Sequence, residues 1–205
     1  MEVVPYYYKN NKSPAAFVIK NMFTKMVSES YDLYYRKTNY ISEENPQPNN
    51  IELYLDNSKT YGCYCDPLSL SILESLTEEV SKIMNAKVLP SYSYTRVYSE
   101  GSKLISHRDR ESCEISLTVS LYDSNKDDIK YLHIADKDES ECNEEDILSI
   151  PFSVGDGLLF FGSDDTDGYY HWRDTIENEY ILQTFLHYVK ANGKFSHNSF
   201  EWTKK

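Results

Sequence analysis

Several things are scarce in this 205-residue sequence, and each absence narrows its reading. No run approaches the 18 or so apolar residues that a membrane-spanning helix needs, so no membrane partner is expected. The first residues, MEVVPYYYKNNK, show no basic segment leading into an apolar one; the expectation is a cytoplasmic chain without a secretion signal. Cysteine is limited to Cys63, Cys65, Cys113 and Cys142, with no CxxC spacing, which favours reduced thiols over a disulfide framework or a zinc site. Positive charge is in deficit: 21 Lys and Arg against 33 Asp and Glu leave a net charge of -12. Such a surface repels phosphate backbones, which argues against nucleic acid as a partner and suits a cationic or neutral one. The acidic stretch 135–146, ADKDESECNEED, lacks the DxDxDG spacing and closing Glu of a calcium loop and is expected to be a solvated hairpin connection. Neither an internal repeat nor a Pro/Gly/Ser-rich linker interrupts the chain, so residues 1–205 are expected to form one domain.

What is present is enough apolar content, 40% of residues, to build a core. Ser13-Pro14 is a plausible helix start, and Phe17, Val18, Met22, Met26 and Val27 follow at helical spacing, predicting a helix within 15–35. The segment 41–50, ISEENPQPNN, predicts a loop. A second helix is expected from Asp66-Pro67, an N-cap followed by proline at the first helical position, and Leu68, Ile72, Leu73, Leu76, Val80 and Ile83 form its apolar stripe up to about Asn85. From Lys87 the pattern changes. VLPSYSYTRVYS, ISLTVSL, IKYLHI, ILSIPF, GLLFFGS and YILQTFLHYV are short, rich in aromatic and β-branched residues and separated by turns, so a sandwich or barrel is expected. The 19 tyrosines suit half-buried strand positions. The predicted organisation is a helical and lid-forming region over 1–86, a β core over 87–190 and a polar tail over 191–205, with the helical arm 13–36 and the loop 41–66 as the expected substrate lid.

Histidine is also scarce, at five residues. One of them, His107, stands two before Asp109, and residues i and i+2 of an extended chain share a face. Composition alone yields about one such His-x-acid pair by chance, so context must carry the reading. Upstream the chain reads Tyr98-x-x-Gly101-x-x-Leu104-x-x-His107-x-Asp109; downstream an alternating strand runs through Ile115, Leu117, Val119 and Leu121. A third candidate ligand, His171, follows in YYHWRD after the turn-strand-turn segment VGDGLLFFGS. Two histidines and one carboxylate are the ligands of a facial triad that leaves positions open on Fe(II). His133 is the competing ligand, expected instead as a packed or edge-strand histidine; His187, in phase with Ile181, Gln183 and Phe185, is expected to line the barrel, and His197 to be exposed.

Residues 91–189 resemble the Fe(II)/2-oxoglutarate-dependent dioxygenases, closest to the prolyl-4-hydroxylase-like branch. The resemblance is carried by the Tyr98-to-Asp109 pattern, the Gly155-Asp156 turn with its apolar strand, and His171. It implies a mainly β fold, a double-stranded β-helix (jelly-roll) core packed by N-terminal α-helices. It implies that His107, Asp109 and His171 are both the catalytic residues and the Fe(II) ligands. 2-Oxoglutarate and O2 are then co-substrates, giving succinate and a hydroxylated peptidyl or small amino-acid-like substrate. Related halogenases lack the carboxylate ligand, so Asp109 points to hydroxylation. One departure stands out: the basic residue usual nine or ten positions after the second histidine is missing, since Tyr180 and Ile181 occupy those positions. The expected anchors for the distal carboxylate of 2-oxoglutarate are therefore Arg96 with Tyr98, then Arg173, with Gln183 the nearest polar group on the final strand. Rival readings of the same residues are a non-redox cupin-like metal enzyme and an inactive binding module.

Overall fold

Strand β6, Ile115–Asp123, shows how this chain sorts its side chains. Ile115, Leu117, Val119 and Leu121 join one apolar cluster, while Ser116 and Thr118, in the opposite phase, line a cavity on the other face. The same alternation organises the whole protein. A computed structural model describes residues 2–38, 61–125, 129–163, 168–177 and 180–204. The predicted loop 41–50, and the 41–60 part of the expected lid, lie outside the described residues.

The elements are β1 (Glu2–Tyr6), β2 (Ala16–Lys20), α1 (Lys25–Thr38), β3 (Tyr61–Tyr64), α2 (Pro67–Ile83), β4 (Val88–Ser99), β5 (Leu104–His107), β6, β7 (Lys130–Ala135), β8 (Leu148–Phe152), β9 (Gly157–Phe160), β10 (Tyr170–Arg173) and β11 (Tyr180–Lys190). They form a seven-stranded sheet in the order β1-β2-β9-β6-β11-β4-β3 and a four-stranded sheet in the order β5-β10-β7-β8. Every pairing of these strands is antiparallel.

Two apolar layers result. Ala16, Val18, Leu158 and Phe160 of the larger sheet pack on Leu132, Ile134, Ile150, Phe152 and Trp172 of the smaller one. On the other side of the larger sheet, Ile72, Leu73 and Val80 of α2 and Tyr35 of α1 pack on β6 and β11. This is the expected jelly roll with flanking helices. Buried polar contacts fix the helices in place: Tyr35 bonds Asp66 Oδ2 (3.0 Å) and Thr95 Oγ1 (2.9 Å), and Tyr188 Oη donates to Leu73 O (3.0 Å). Helix α2 begins as expected, with Asp66 accepting from the backbone N–H groups of Leu68 and Ser69 and Pro67 in the first turn.

The N-terminal third corrects the prediction. The expected helix within 15–35 is a strand, β2, followed by a helix that starts only at Lys25. Ala16–Lys20 is hydrogen-bonded on both edges, to β1 and β9, and its aromatic and β-branched residues suit a sheet. A turn with Asn21 at φ +48° then redirects the chain, and Thr24 Oγ1 accepts from Val27 N (3.4 Å) at the helix start. The supposed apolar stripe does not exist, because Met26 is 74% exposed. Strands β1 and β3 likewise place sheet within the region 1–86 expected to hold helices and lid, β3 falling in the expected loop 41–66. At the other end, the 191–204 tail folds back: Phe195 is fully buried, and Glu201 accepts from Arg110 Nη2 (2.8 Å), Ser112 Oγ (2.9 Å) and Tyr64 Oη (3.0 Å).

The Gly155-Asp156 turn leads into β9 as read from the sequence. Gly155 has φ +90°, and a Cβ there would meet Phe23 O at 2.5 Å, so a side chain is excluded twice over. Asp156 closes the turn by accepting from Ser153 N (3.1 Å) and pairing with Lys20 Nζ (2.7 Å). The acidic 135–146 segment connects the antiparallel pair β7 and β8, as expected.

Candidate metal centre

The register of β5 against β10 sets His107 opposite His171, with ring centroids 4.3 Å apart. Both rings are turned by one device. His107 Nδ1 lies 2.8 Å from Ile105 O, and His171 Nδ1 lies 3.3 Å from Tyr169 O. A carbonyl can only accept, so Nδ1 carries the proton in each neutral ring and Nε2 keeps its lone pair. Both Nε2 atoms face Asp109 Oδ1, at 3.6 and 3.7 Å. Three electron-rich atoms thus converge with no donor of their own, the arrangement a cation relieves. The spacing is one that metal–ligand bonds of roughly 2.0–2.2 Å can span after a small closure.

Asp109 reaches this point by a route the sequence did not suggest. It lies beyond the end of β5, and is held by its backbone N–H donating to Gly162 O (2.7 Å) and by an isolated bridge to Ser163. The carboxylate lies close against Gly162: a Cβ added there would stand 2.3 Å from Asp109 Oδ2 and 2.9 Å from Ser116 Oγ. Ser116 Oγ donates to Asp109 Oδ2 (2.8 Å) and also lies 3.0 Å from His187 Nδ1. Gly162 and Ser116 are therefore part of the site, and neither was singled out beforehand. Ser116 falls on the polar phase of β6, and Gly162 in the turn closing FFGS; both signals were visible but had no assigned meaning.

Electrostatics follow from this packing. Burial would raise the Asp109 carboxyl, but His171, His107 and His187 outweigh it and hold it well below the usual carboxylate range. Burial, with the nearby His107 charge, pushes His171 down to about 4. Burial also lowers His107, yet the Asp109 carboxylate and Ile105 carbonyl overcome this and leave it raised. His187 is pushed down to about 4, mainly by burial.

His133 stays apart from this cluster. Its Nδ1 bonds Ser149 Oγ (2.9 Å), its Nε2 bonds Asp174 Oδ2 (3.0 Å), and its ring lies 5.7 Å from Trp172. His187 lines the cavity and His197 is exposed.

His107, Asp109 and His171 line a cavity of about 90 Å³ that Tyr98, Arg173, Gln183, Phe185, Leu132 and Phe152 also line. Arg173 Nη1 donates to Gln183 Oε1 (2.7 Å), and its guanidinium carbon lies 3.9 Å from the Tyr98 ring centroid. Gln183 is 2% exposed, and among the described residues its Nε2 has no hydrogen-bond partner. Arg96 lies across from Gln183 in the β4–β11 register, 4.9 Å from the Tyr98 ring centroid, but does not line the cavity. Among the described residues lining the cavity, Asp109 is the only carboxylate.

A separate open cleft of about 580 Å³ has in its lining Arg108, between His107 and Asp109 in sequence, and Tyr169, whose carbonyl bonds His171. Tyr8, Lys9, Lys12, Phe161 and Asp136 also line it.

No protein-family model and no curated protein sequence matches the chain. Solved structures do match in shape. A Pseudomonas putida prolyl-4-hydroxylase superposes with a TM-score of 0.60 at 10% identity, covering 86% of this chain and 92% of that one. HygX from Streptomyces hygroscopicus, solved with nickel and 2-oxoglutarate, gives 0.62 at 13% identity, covering 87% and 84%. A viral collagen prolyl hydroxylase from Paramecium bursaria Chlorella virus-1, in its 2-oxoglutarate complex, gives 0.58 at 9% identity, covering 89% and 98%. The fold is the jelly roll of the prolyl hydroxylases and other 2-oxoglutarate/Fe(II) oxygenases.

Proposed function

We propose that this protein is an Fe(II)- and 2-oxoglutarate-dependent oxygenase that hydroxylates a peptidyl or amino-acid-like substrate. The observation that carries this reading is the convergence of two proton-free imidazole nitrogens and a carboxylate oxygen on one point, inside a jelly roll. Two nitrogens and one oxygen from three residues suit Fe(II) and leave three of six positions open. The donor set fits: His107 and His171 are oriented by carbonyls, and Asp109 remains ionised.

The cavity fits a dicarboxylate. Arg173, 3% exposed, supplies positive charge, and Gln183 Nε2 supplies a buried donor in need of an acceptor. We place Arg173 with Gln183 and Tyr98 at the distal carboxylate of 2-oxoglutarate, and Arg96 behind them, because Arg173 lines the cavity and Arg96 does not. Held there, iron with 2-oxoglutarate and O2 would supply the oxidation, one oxygen atom going to succinate as CO2 leaves and the other into a substrate C–H bond. The chain's own part is positional. Leu132, Phe152 and Phe160 make an apolar wall that limits water. The His107 and His171 Nδ1 protons stay on backbone carbonyls, keeping both Nε2 atoms available as ligands.

The substrate would approach along the open cleft. Its aromatic side chains, Tyr8, Phe161 and Tyr169, suit a ring or an extended peptide. Three cations, Lys9, Lys12 and Arg108, line it against Asp136, with Lys9 also paired to Asp146 (3.0 Å). A cationic substrate, suggested by net charge, is therefore not what this cleft would select; net charge describes the whole surface and not its local field. Succinate formation from 2-oxoglutarate with iron, ascorbate and candidate peptides is the test. Anaerobic addition of Fe(II) and 2-oxoglutarate should give a weak visible absorption band; no band with tight zinc binding would favour the cupin-like alternative, and binding of neither an inactive module.

A further inference from the structure

The two oxygens of Asp109 have different surroundings. Oδ1 faces the two Nε2 atoms, whereas Oδ2 accepts from Ser116 Oγ at 2.8 Å. The same hydroxyl lies 3.0 Å from His187 Nδ1. A serine hydroxyl has one proton, and a carboxylate can only accept. The proton therefore points to Asp109, the nearer and charged acceptor, over the Cys113 carbonyl at 3.4 Å, and Ser116 accepts from His187 Nδ1–H. The chain of donors runs one way, from His187 through Ser116 to Asp109.

This chain is shielded. Ser116 is 2% and His187 6% exposed, and the Tyr92 ring packs on the His187 ring at 4.5 Å between centroids. Donor atoms of Asp109, Cys113 and His187 lie within 4.8 Å of one another, a spacing that could suit an ion. The Ser116 hydroxyl already bonds the Asp109 and His187 members, and Cys113 Sγ pairs with Tyr92 Oη (3.0 Å). These groups satisfy one another as a hydrogen-bonded clamp.

We propose that Ser116 and His187 are positioning residues that commit Asp109 to its metal through Oδ1 alone. With Oδ2 engaged, the carboxylate resists rotating to chelate through both oxygens. Chelation would occupy a fourth coordination position and leave only two, too few for a bidentate co-substrate and O2 together. This inference rests on the metal-centre reading proposed above and concerns how the centre keeps its open positions.

Co(II) titration of the metal-free protein, followed by calorimetry and visible absorption, tests it without turnover. Ser116→Ala should weaken Co(II) binding about 10–100-fold, the usual cost of losing an outer-shell partner, while the melting temperature of the metal-free protein moves little. His187→Leu should weaken it at least about tenfold, whereas His187→Asn, whose side-chain amide can still donate to Ser116, should stay within about threefold of the unmutated protein. Should Ser116→Ala not fold, the two His187 variants decide. Unchanged Co(II) affinity in folded Ser116→Ala or in His187→Leu overturns the proposal. Equal losses in His187→Asn and His187→Leu also overturn it, since side-chain bulk and not the donor would then matter. If the unmutated protein binds no Co(II), the metal reading fails and this inference with it.

Discussion

His107 and His171 are register partners on two different strands, and one carboxylate oxygen of Asp109 stands 3.6 and 3.7 Å from their Nε2 atoms. The centre is thus assembled by strand pairing and not by a contiguous motif. His171→Ala or His107→Ala should reduce Fe(II) affinity by about a hundredfold or more, since a ligand matters at least as much as its outer-shell partner. His133→Ala should leave affinity within about threefold, because that side chain bonds Ser149 and Asp174 away from the centre. Equilibrium dialysis with iron under anaerobic conditions measures both; retained affinity in His171→Ala would reject the triad.

Gly162 is expected to be intolerant of even a methyl group. The added Cβ would stand 2.3 Å from Asp109 Oδ2 and 2.9 Å from Cys113 O. The carboxylate or the short helical turn Glu111–Cys113 must move, and such overpacking costs roughly 1–3 kcal/mol. Gly162→Ala should therefore lower the melting temperature by several degrees and weaken metal binding by about tenfold or more. Normal metal affinity in Gly162→Ala would show that Asp109 is not held as tightly as its contacts indicate.

The jelly roll was legible because strands such as β4 and β11 are rich in aromatic and β-branched residues, and turns such as Gly155-Asp156, before β9, punctuate the strands. Strand β2 was not, because Phe17, Val18, Met22 and Met26 fall at spacings that serve either a helix or a sheet, and only pairing with β1 and β9 decides. The grouping of His107, Asp109 and His171 was legible because histidine is rare and its partners are patterned. Ser116 and Gly162 were not: their importance arises from distance to Asp109, and a serine on a polar strand phase or a glycine in a turn looks ordinary until the fold brings them together.

Acid should destabilise the metal-free protein over a defined window. His171 and His187 are depressed to about 4 in the folded state, against an ordinary value of 6.5. Between those values the unfolded chain binds more protons, so stability falls as pH drops from 6.5 towards 4. His107 is raised, so its contribution is fully present below 6.5 and is lost as pH rises above that value; it cannot offset the loss further down. The depressed Asp109 adds a loss in the same direction at still lower pH. The melting temperature should fall on the order of 5–10 °C between pH 7 and pH 5. A flat profile by scanning calorimetry would mean that these imidazoles are not buried in neutral form.

The co-substrate anchor can be tested apart from the metal. Arg173 donates to Gln183 Oε1 at 2.7 Å, packs on Tyr98 at 3.9 Å and lines the cavity with His107, Asp109 and His171; Arg96 contacts the same ring from outside the cavity lining. Removing one member of a buried charge pair costs roughly 3–5 kcal/mol, which corresponds to about two to four orders of magnitude in binding. Arg173→Ala should therefore raise the 2-oxoglutarate concentration needed for half-maximal succinate formation by about that factor and leave iron affinity nearly unchanged. Arg96→Ala should have a smaller effect, about tenfold or less, because Arg96 does not line the cavity and meets the Tyr98 ring from outside it. Arg173→Lys should recover part of the loss, because it restores the charge without the planar fork. The reverse ranking, with Arg96→Ala the more damaging, would move the distal carboxylate to the β4 side of Tyr98. Unchanged 2-oxoglutarate dependence in both alanine variants would remove the anchor and, with it, the reason to place a dicarboxylate in this cavity.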